Sequence, residues 1–169
     1  YATFDRSNHL EIKEYWNVSY HVDYSITENE AINHLQGLIG DSVELHLRSD
    51  VEVGGYVSGG VDSSLVSAVA RFGNRNQEFK AFNGRFNDTR YDESNYARRV
   101  ADDCDMKLYV TDIDDSDFIN NFNKIVWHLD QPVAGPGSFP QYMVAQNVGQ
   151  HLKVALGGQG GDEIFGGYA

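Results

Sequence analysis

Ser58-Gly59-Gly60-Val61-Asp62-Ser63-Ser64 joins an apolar run, Val51–Val57, to a segment with Leu65, Val66, Val69 and Phe72 at helical spacing. A strand, a glycine-rich turn and a helix in that order deliver backbone N–H groups to a helix N-terminus, where the helix dipole adds partial positive charge. Gly59 and Gly60 let the main chain approach a phosphate closely, and Ser58, Ser63 and Ser64 supply hydroxyl donors. Asp62 is the exception. A carboxylate beside a phosphate is repelled unless a cation lies between them, so Asp62 implies Mg²⁺. Glycine and serine also build ordinary turns; the complete run, between an apolar strand and an amphipathic helix, favours the phosphate site. It is not a Walker-type loop, since no Lys follows the glycines.

A second stretch, Gly157-Gly158-Gln159-Gly160-Gly161-Asp162-Glu163-Ile164-Phe165-Gly166-Gly167-Tyr168, follows the short apolar Val154-Ala155-Leu156. By itself it reads as a solvated acidic loop. Coupled to the first stretch, Asp162 and Glu163 are candidates to complete the metal shell that Asp62 begins, because Mg²⁺ on a nucleotide is held by one or two carboxylates plus phosphate oxygens.

The elements that must carry these turns alternate. Thr27-Glu28-Asn29-Glu30 has the form of a capping box, with Ile26 as a staple residue. It opens a helix to about Arg48, with Ala31, Leu35, Leu38, Ile39, Ser42, Val43 and Leu45 or His46 on its packing side. The central strand is expected over Val51–Val57 and its helix ends at Gly73. A strand follows at Phe79–Phe86 and a helix from Glu93 to about Cys104, capped by Asp92, with Ala97, Val100, Ala101 and Cys104 on one face. Lys107–Thr111 is a strand. Phe118, Ile119, Phe122, Ile125, Val126 and Leu129 mark a further helix, then come the Asp130–Gly137 loop and a helix capped by Ser138 with Pro140 in its first turn, running to about His151. Such alternation predicts an α/β fold, a parallel twisted sheet flanked by helices, with its ligand site past the C-terminal strand ends.

The chain has 169 residues, enough for one domain with a real core. Asp and Glu total 25 against 13 Lys and Arg, a net charge of −12 that argues against nucleic acid as a partner. Cys104 is the only cysteine, which excludes an internal disulfide and a cysteine-type zinc site and fits a reducing, cytoplasmic setting. No apolar run approaches the length of a membrane span, so no membrane partner is expected. The six histidines show no metal-ligand spacing, Cys104 reads as a core residue, and Trp127 as a packing or connector residue. The acidic run Asp112, Asp114, Asp115 and Asp117 reads as a helix cap.

SGGVDSS resembles the PP-loop of the N-type ATP pyrophosphatases, which hold the pyrophosphate of ATP and cleave between the α and β phosphates. Together with GDEIFGGY it resembles the synthetase domain of the glutamine-dependent asparagine synthetases, over roughly Tyr15 to Ala169. FNGRFNDTRYDESNYA (Phe82–Ala97) and LDQPVAGPGSFPQY (Leu129–Tyr142) are similar to family segments as well. The resemblance implies an adenine nucleotide alpha hydrolase-like fold, with ATP and Mg²⁺ as cofactors and the metal on Asp62 and Asp162. The pyrophosphate would lie on Ser58, Gly59, Gly60, Asp62, Ser63 and Ser64, and the adenine among Tyr56, Val57, Gly84, Gly157 and Gly158. Gln159 and Asp162 are the catalytic candidates. The implied reaction is attack of a substrate carboxylate, such as that of aspartate, on the α-phosphorus, followed by displacement of AMP by glutamine-derived ammonia. Residues 1–26 are then expected to be a connector from an upstream glutaminase domain, and residues 27–169 the N-terminal part of the ATP-binding domain, truncated at its C-terminus.

Two positions depart from the family pattern. Gln159 stands where the family's SGEGSDE-like cluster has Glu, and an amide cannot take a proton. No Lys or Arg occurs between Lys124 and Lys153, so the Pro136–Ser138 loop, matched to the amino-acid site, has no guanidinium to clamp an α-carboxylate. These departures keep open a PP-loop amide or β-lactam ligase with another acceptor. A tRNA-modifying PP-loop enzyme fits the −12 charge poorly, and a nucleotide-binding module without turnover is the remaining reading.

Overall fold

The computed structural model describes residues 1–74, 77–131, 135 and 137–167. Arg75 and Asn76 of one expected loop, Pro132, Val133, Ala134 and Pro136 of another, and Tyr168 and Ala169 lie outside the described residues. The chain divides into two units, Tyr1–Leu35 and Gln36–Ala169.

In the first unit, β1 (Ala2–Phe4) and β2 (Leu10–Ile12) form an antiparallel hairpin, with Thr3 opposite Glu11. Its turn is built on Asp5, whose carboxylate accepts from the Ser7 and His9 amides at 2.8 and 3.0 Å and from the Ser7 hydroxyl at 2.6 Å. Those hydrogen bonds, the Ser7 hydroxyl foremost, hold the Asp5 carboxyl below its usual range. The sequence here reads as an extended or strand-like connector, and the two short strands are its strand-like part; they are too short to be located by alternation alone. At the start of α1 (Glu28–His46), the expected capping box is present: the Thr27 amide donates to Glu30 Oε2 at 2.8 Å and the Glu30 amide returns to Thr27 Oγ1 at 3.4 Å.

The second unit alternates β3 (Val53–Tyr56), α2 (Val61–Gly73), β4 (Phe79–Phe86), α3 (Ser94–Asp103), β5 (Met106–Ile113), α4 (Asp115–Leu129), α5 (Ser138–His151), β6 (Val154–Leu156) and α6 (Gly161–Phe165). The four strands form one all-parallel sheet in the order β5-β4-β3-β6. The chain therefore steps outward from β3 through β4 to β5 and returns by α4 and α5 to the other side of β3, which makes the β3–β6 seam the point where the strand order reverses.

The core has two parts, one on each face of the sheet. Val43, Ala70, Ala97 and Ala101 from α1, α2 and α3 pack on Val57, Phe79, Ala81 and Met106. Met143, Val144 and Val148 of α5 pack with Leu152 on Phe82 and Ile113. The face expected of α3 is the one it buries, with Val100 and Cys104 half-covered beside Ala97 and Ala101.

Other helices differ from expectation. On α2 the buried ridge is Ser63, Ser67 and Ala70, whereas Leu65 and Phe72 are exposed. Close approach decides this: a Cβ on Gly55 would run into Ser67 Oγ, so the helix meets β3 through small residues, and Ser67 Oγ donates to the Tyr56 carbonyl at 3.2 Å. On α1 only Val43 is buried, and Leu35 and Leu38 stay exposed. On α4 Ile125 is buried while Ile119 and Trp127 are 75% exposed, so of the two readings of Trp127, packing or connector, its exposure speaks against core packing. Asp92 accepts from the Ser94 amide at 3.0 Å one turn position before α3, which begins at Ser94 rather than Glu93. β3 is shorter and β5 longer than expected, and Ser138 is the first residue of α5 rather than its cap, a place taken by Gly137. Among the described residues no helix is long and apolar enough to cross a membrane.

Candidate functional site

At the C-terminal end of the β3–β6 seam lies an open cleft of about 580 Å³. Of the residues singled out in the sequence, Tyr56, Ser58, Gly60, Asp62, Ser63, Gly157, Gly158, Gln159 and Asp162 line it. Asp62 and Asp162, 100 positions apart, are brought together because parallel strands open their loops on the same edge. Val57, Gly59, Ser64 and Gly84 do not line it.

Hydrogen bonds within the first turn account for its shape. The Ser58 amide donates to Ser63 Oγ at 3.1 Å, the two hydroxyls lie 2.8 Å apart, and the Gly60 amide donates to Ser58 Oγ at 3.1 Å. Gly60 is the N-cap of α2 and offers no side chain, so the first-turn amides of α2 are left uncapped at the cleft. Gly59 has φ +92° and its missing Cβ would come 2.5 Å from Tyr96 Cβ and 3.0 Å from the Ala97 amide nitrogen, so it seats the turn on the start of α3. Val57 is fully buried; its amide donates to the Phe82 carbonyl at 2.9 Å and its carbonyl accepts from Asn83 Nδ2 at 2.8 Å. Ser64 Oγ and Asn83 Oδ1 are buried behind the turn without hydrogen-bond partners. Gly84 faces the opposite way: its Cβ would come 3.0 Å from both Ile113 and Val144, between the sheet and α5.

The second glycine cluster is not the open loop that its composition suggests. Asp162 and Glu163 lie in α6, entered through Gly160 at φ +93° and left through Gly166 at φ +75°. Its glycines fit against the first turn. A Cβ on Gly158 would come 2.6 Å from the Ser63 amide nitrogen, and one on Gly161 would run into the Asp62 carboxylate. The Asp162 carboxylate in turn lies against Gly167.

Electrostatically the lining is one-sided. Asp62, Asp162 and Glu163 contribute three carboxylates, and among the described residues no Lys, Arg or His lines the cleft. Cations near the strand ends are engaged elsewhere: Arg85 with Asp112 at 2.5 Å and Arg90 with Asp88 at 2.6 Å. Burial raises the Tyr56 phenol above its ordinary value, so it remains a neutral donor. Among the described residues no group of three or more His, Cys, Asp or Glu is arranged as a ready metal cage. Oxygen donors without a cage suit a hard cation that arrives with further oxygen ligands of its own.

Missed by the sequence reading are Val61 and Phe165, both exposed apolar side chains at the cleft, and the small residues Gly160, Gly161 and Gly167. Only the length of the glycine cluster hinted at the last three.

Parallel strand order, a glycine-rich turn on a helix N-terminus and a cleft at the point of strand reversal define the fold of the PP-loop ATPases. NH3-dependent NAD synthetase from Campylobacter jejuni is similar in fold, with a TM-score of 0.54 and 15% identity over 81% of this chain and 60% of that one. The asparagine synthase family model matches residues 34–169, and the chain belongs to that family. Asparagine synthetase [glutamine-hydrolyzing] 1 of Bacillus subtilis is 38% identical over 141 residues, 83% of this chain and 22% of that protein. The amidase chyE of Penicillium rubens is 30% identical over 94% of this chain and 26% of its own length. The chain thus spans about a quarter or less of these relatives.

Proposed function

We propose that the cleft binds Mg·ATP and serves ATP-dependent amide ligation, with the acceptor activated by adenylation. The observation that carries this reading is the convergence of an uncapped helix N-terminus with three carboxylates and no cation in one cleft. Amides suit phosphate, and carboxylates next to phosphate require a cation. Asp62 and Asp162 are the residues that would hold Mg²⁺, which when bound neutralises charge on the phosphates. The turn Ser58–Ser64 orients the pyrophosphate, and Tyr56, Gly157 and Gly158 border the rest of the nucleotide.

In the proposed reaction an acceptor carboxylate oxygen attacks the α-phosphorus in line, the bond to the bridging oxygen breaks, and pyrophosphate leaves. Ammonia nitrogen then attacks the acyl carbon, AMP departs with the bonding pair, and the surplus proton passes to solvent. The chain's contribution is orientation and charge placement, which positioned donors supply without side-chain acid–base chemistry in the first half-reaction. Aspartate is the proposed acceptor and glutamine the source of the ammonia in the whole protein, by membership of the asparagine synthase family. A second reading, amide ligation onto a different carboxylate, is favoured by Gln159 and by the similarity to a relative named an amidase.

Asp62→Asn tests the site. Asn keeps the size of the side chain at the start of α2 but not the charge that recruits a cation. The variant should melt within a few degrees of the parent alone, yet lose most of the upward shift that Mg·ATP gives the parent. An unchanged shift in the variant would remove Asp62 from the metal site.

A further inference from the structure

Gln159 turns its side chain back over Gly157 at the end of β6. A Cβ built on Gly157 would run into Gln159 Oε1 and come 3.4 Å from Gln159 Cδ, whereas the next atom, Tyr56 Cδ2, would lie at an ordinary 3.8 Å. No backbone atom contests that space, and Gly157 is not among the glycines with positive φ. Glycine at 157 is therefore required neither by a left-handed turn nor by a neighbouring main chain, in contrast to Gly158, which opposes the backbone of Ser63. Its one tight contact is with the Gln159 amide, the movable end of a flexible side chain.

Gly157, Gln159 and Tyr56 all line the cleft, and Gln159 is its one carboxamide among the described residues. The amide makes no hydrogen bond within the described residues. In a lining of three carboxylates and no cation, it is an N–H donor that adds no charge. A divalent cation shared with a polyphosphate leaves phosphoryl oxygens that it does not reach, and each needs a donor.

We infer that Gly157 and Gln159 act as one positioning unit: Gly157 clears the space that holds the Gln159 amide, and the amide donates to a phosphoryl oxygen of the bound nucleotide. The ligand half of this rests on the ATP reading above; the coupling half does not.

The experiment compares the chain with Gly157→Ala, Gln159→Ala and the double variant through two readouts. In the unliganded chain, the side-chain NH2 signal of Gln159 is assigned in the nitrogen–proton spectrum by its loss in Gln159→Ala. Gly157→Ala should move that signal with little change in melting temperature, because the displaced atom is the free end of a flexible side chain. With the non-hydrolysable β,γ-imido analogue of ATP and Mg²⁺, Gln159→Ala should weaken binding about five-fold, the size of one net hydrogen bond. Gly157→Ala should weaken it comparably, and the double variant should bind no more weakly than Gln159→Ala alone. A Gln159 signal unmoved by Gly157→Ala, or losses that multiply in the double variant, would overturn the coupling. If Gln159→Ala leaves affinity unchanged, the amide does not contact the phosphates. If the parent binds no nucleotide, the ATP reading and the ligand half fall together, and the spectral shift alone decides the coupling.

Discussion

Gly158 illustrates how a single residue joins the two halves of the cleft. Its neighbours are the Ser63 amide nitrogen at 2.6 Å and the Asp62 carbonyl carbon at 2.9 Å from an added Cβ, all part of the first turn of α2. A helix backbone anchored by its own hydrogen bonds cannot yield as a side-chain end can. Gly158→Ala should therefore push the β6 turn away from α2 and destabilise the chain by about 1–3 kcal/mol, as overpacking does. Urea unfolding reads the loss as a lower midpoint at unchanged slope. A midpoint equal to that of the parent would mean that the β6 turn is free to move. The contrast with Gly157 is the useful one, since adjacent glycines answer to different atoms.

At the scale of an element, α4 shows what local signals secure. Its N-cap Asp114 accepts from the Ser116 and Asp117 amides at 2.7 and 3.0 Å, and the Asp117 carboxylate accepts from the Asp114 amide at 3.0 Å, a complete capping box. The Ser116 hydroxyl is the main group holding the Asp114 carboxyl below its ordinary 3.8. A carboxyl depressed on folding stabilises the folded chain above its unfolded value, and that contribution is lost as pH falls through the folded one. Asp114→Ala should accordingly melt below the parent by a constant interval above about pH 5, and the interval should shrink as pH falls below about 4. An interval that stays constant into acid would remove the cap's ionised form from the stability of α4. The acidic run Asp112, Asp114, Asp115 and Asp117, read from the sequence as a helix cap, supplies that cap through Asp114 and Asp117, with Asp112 separately paired to Arg85.

Charge is a property of the whole molecule. With 25 acidic residues against 13 Lys and Arg, the acidic charges outnumber the basic ones nearly two to one, and the ion pairs among the described residues are largely exposed, such as Arg90–Asp88 and Lys107–Glu78. Exposed pairs contribute little, whereas the summed repulsion of like charges acts on the entire folded chain. Raising ionic strength from about 0.01 M to about 0.15 M shortens the screening length roughly from 30 to 8 Å. The melting temperature should rise over that range. A fall would show that the attractive pairs outweigh the repulsion.

How much of this was legible in the sequence depended on distance along the chain. The amino acids by themselves determined the glycine-rich turn before α2, the alternation of strands and helices, the capping box at Thr27, the acidic cap of α4, and the buried face of α3. All of these rest on residues within a few positions of each other, where backbone geometry and side-chain spacing suffice. Three other features were decided by tertiary structure alone. Periodicity on α2 offered Leu65 and Phe72 for the core, but contact with Gly55 admits only small side chains, so Ser63, Ser67 and Ala70 face inward. Gly84 resembled a cleft residue until strand pairing turned its face to Ile113 and Val144. The meeting of Asp62 with Asp162 required β6 to return beside β3, and no local preference encodes which strand edge a crossover reaches. That choice belongs to the packing of α5 on one face and α1, α2 and α3 on the other, which together cover both apolar faces of the sheet.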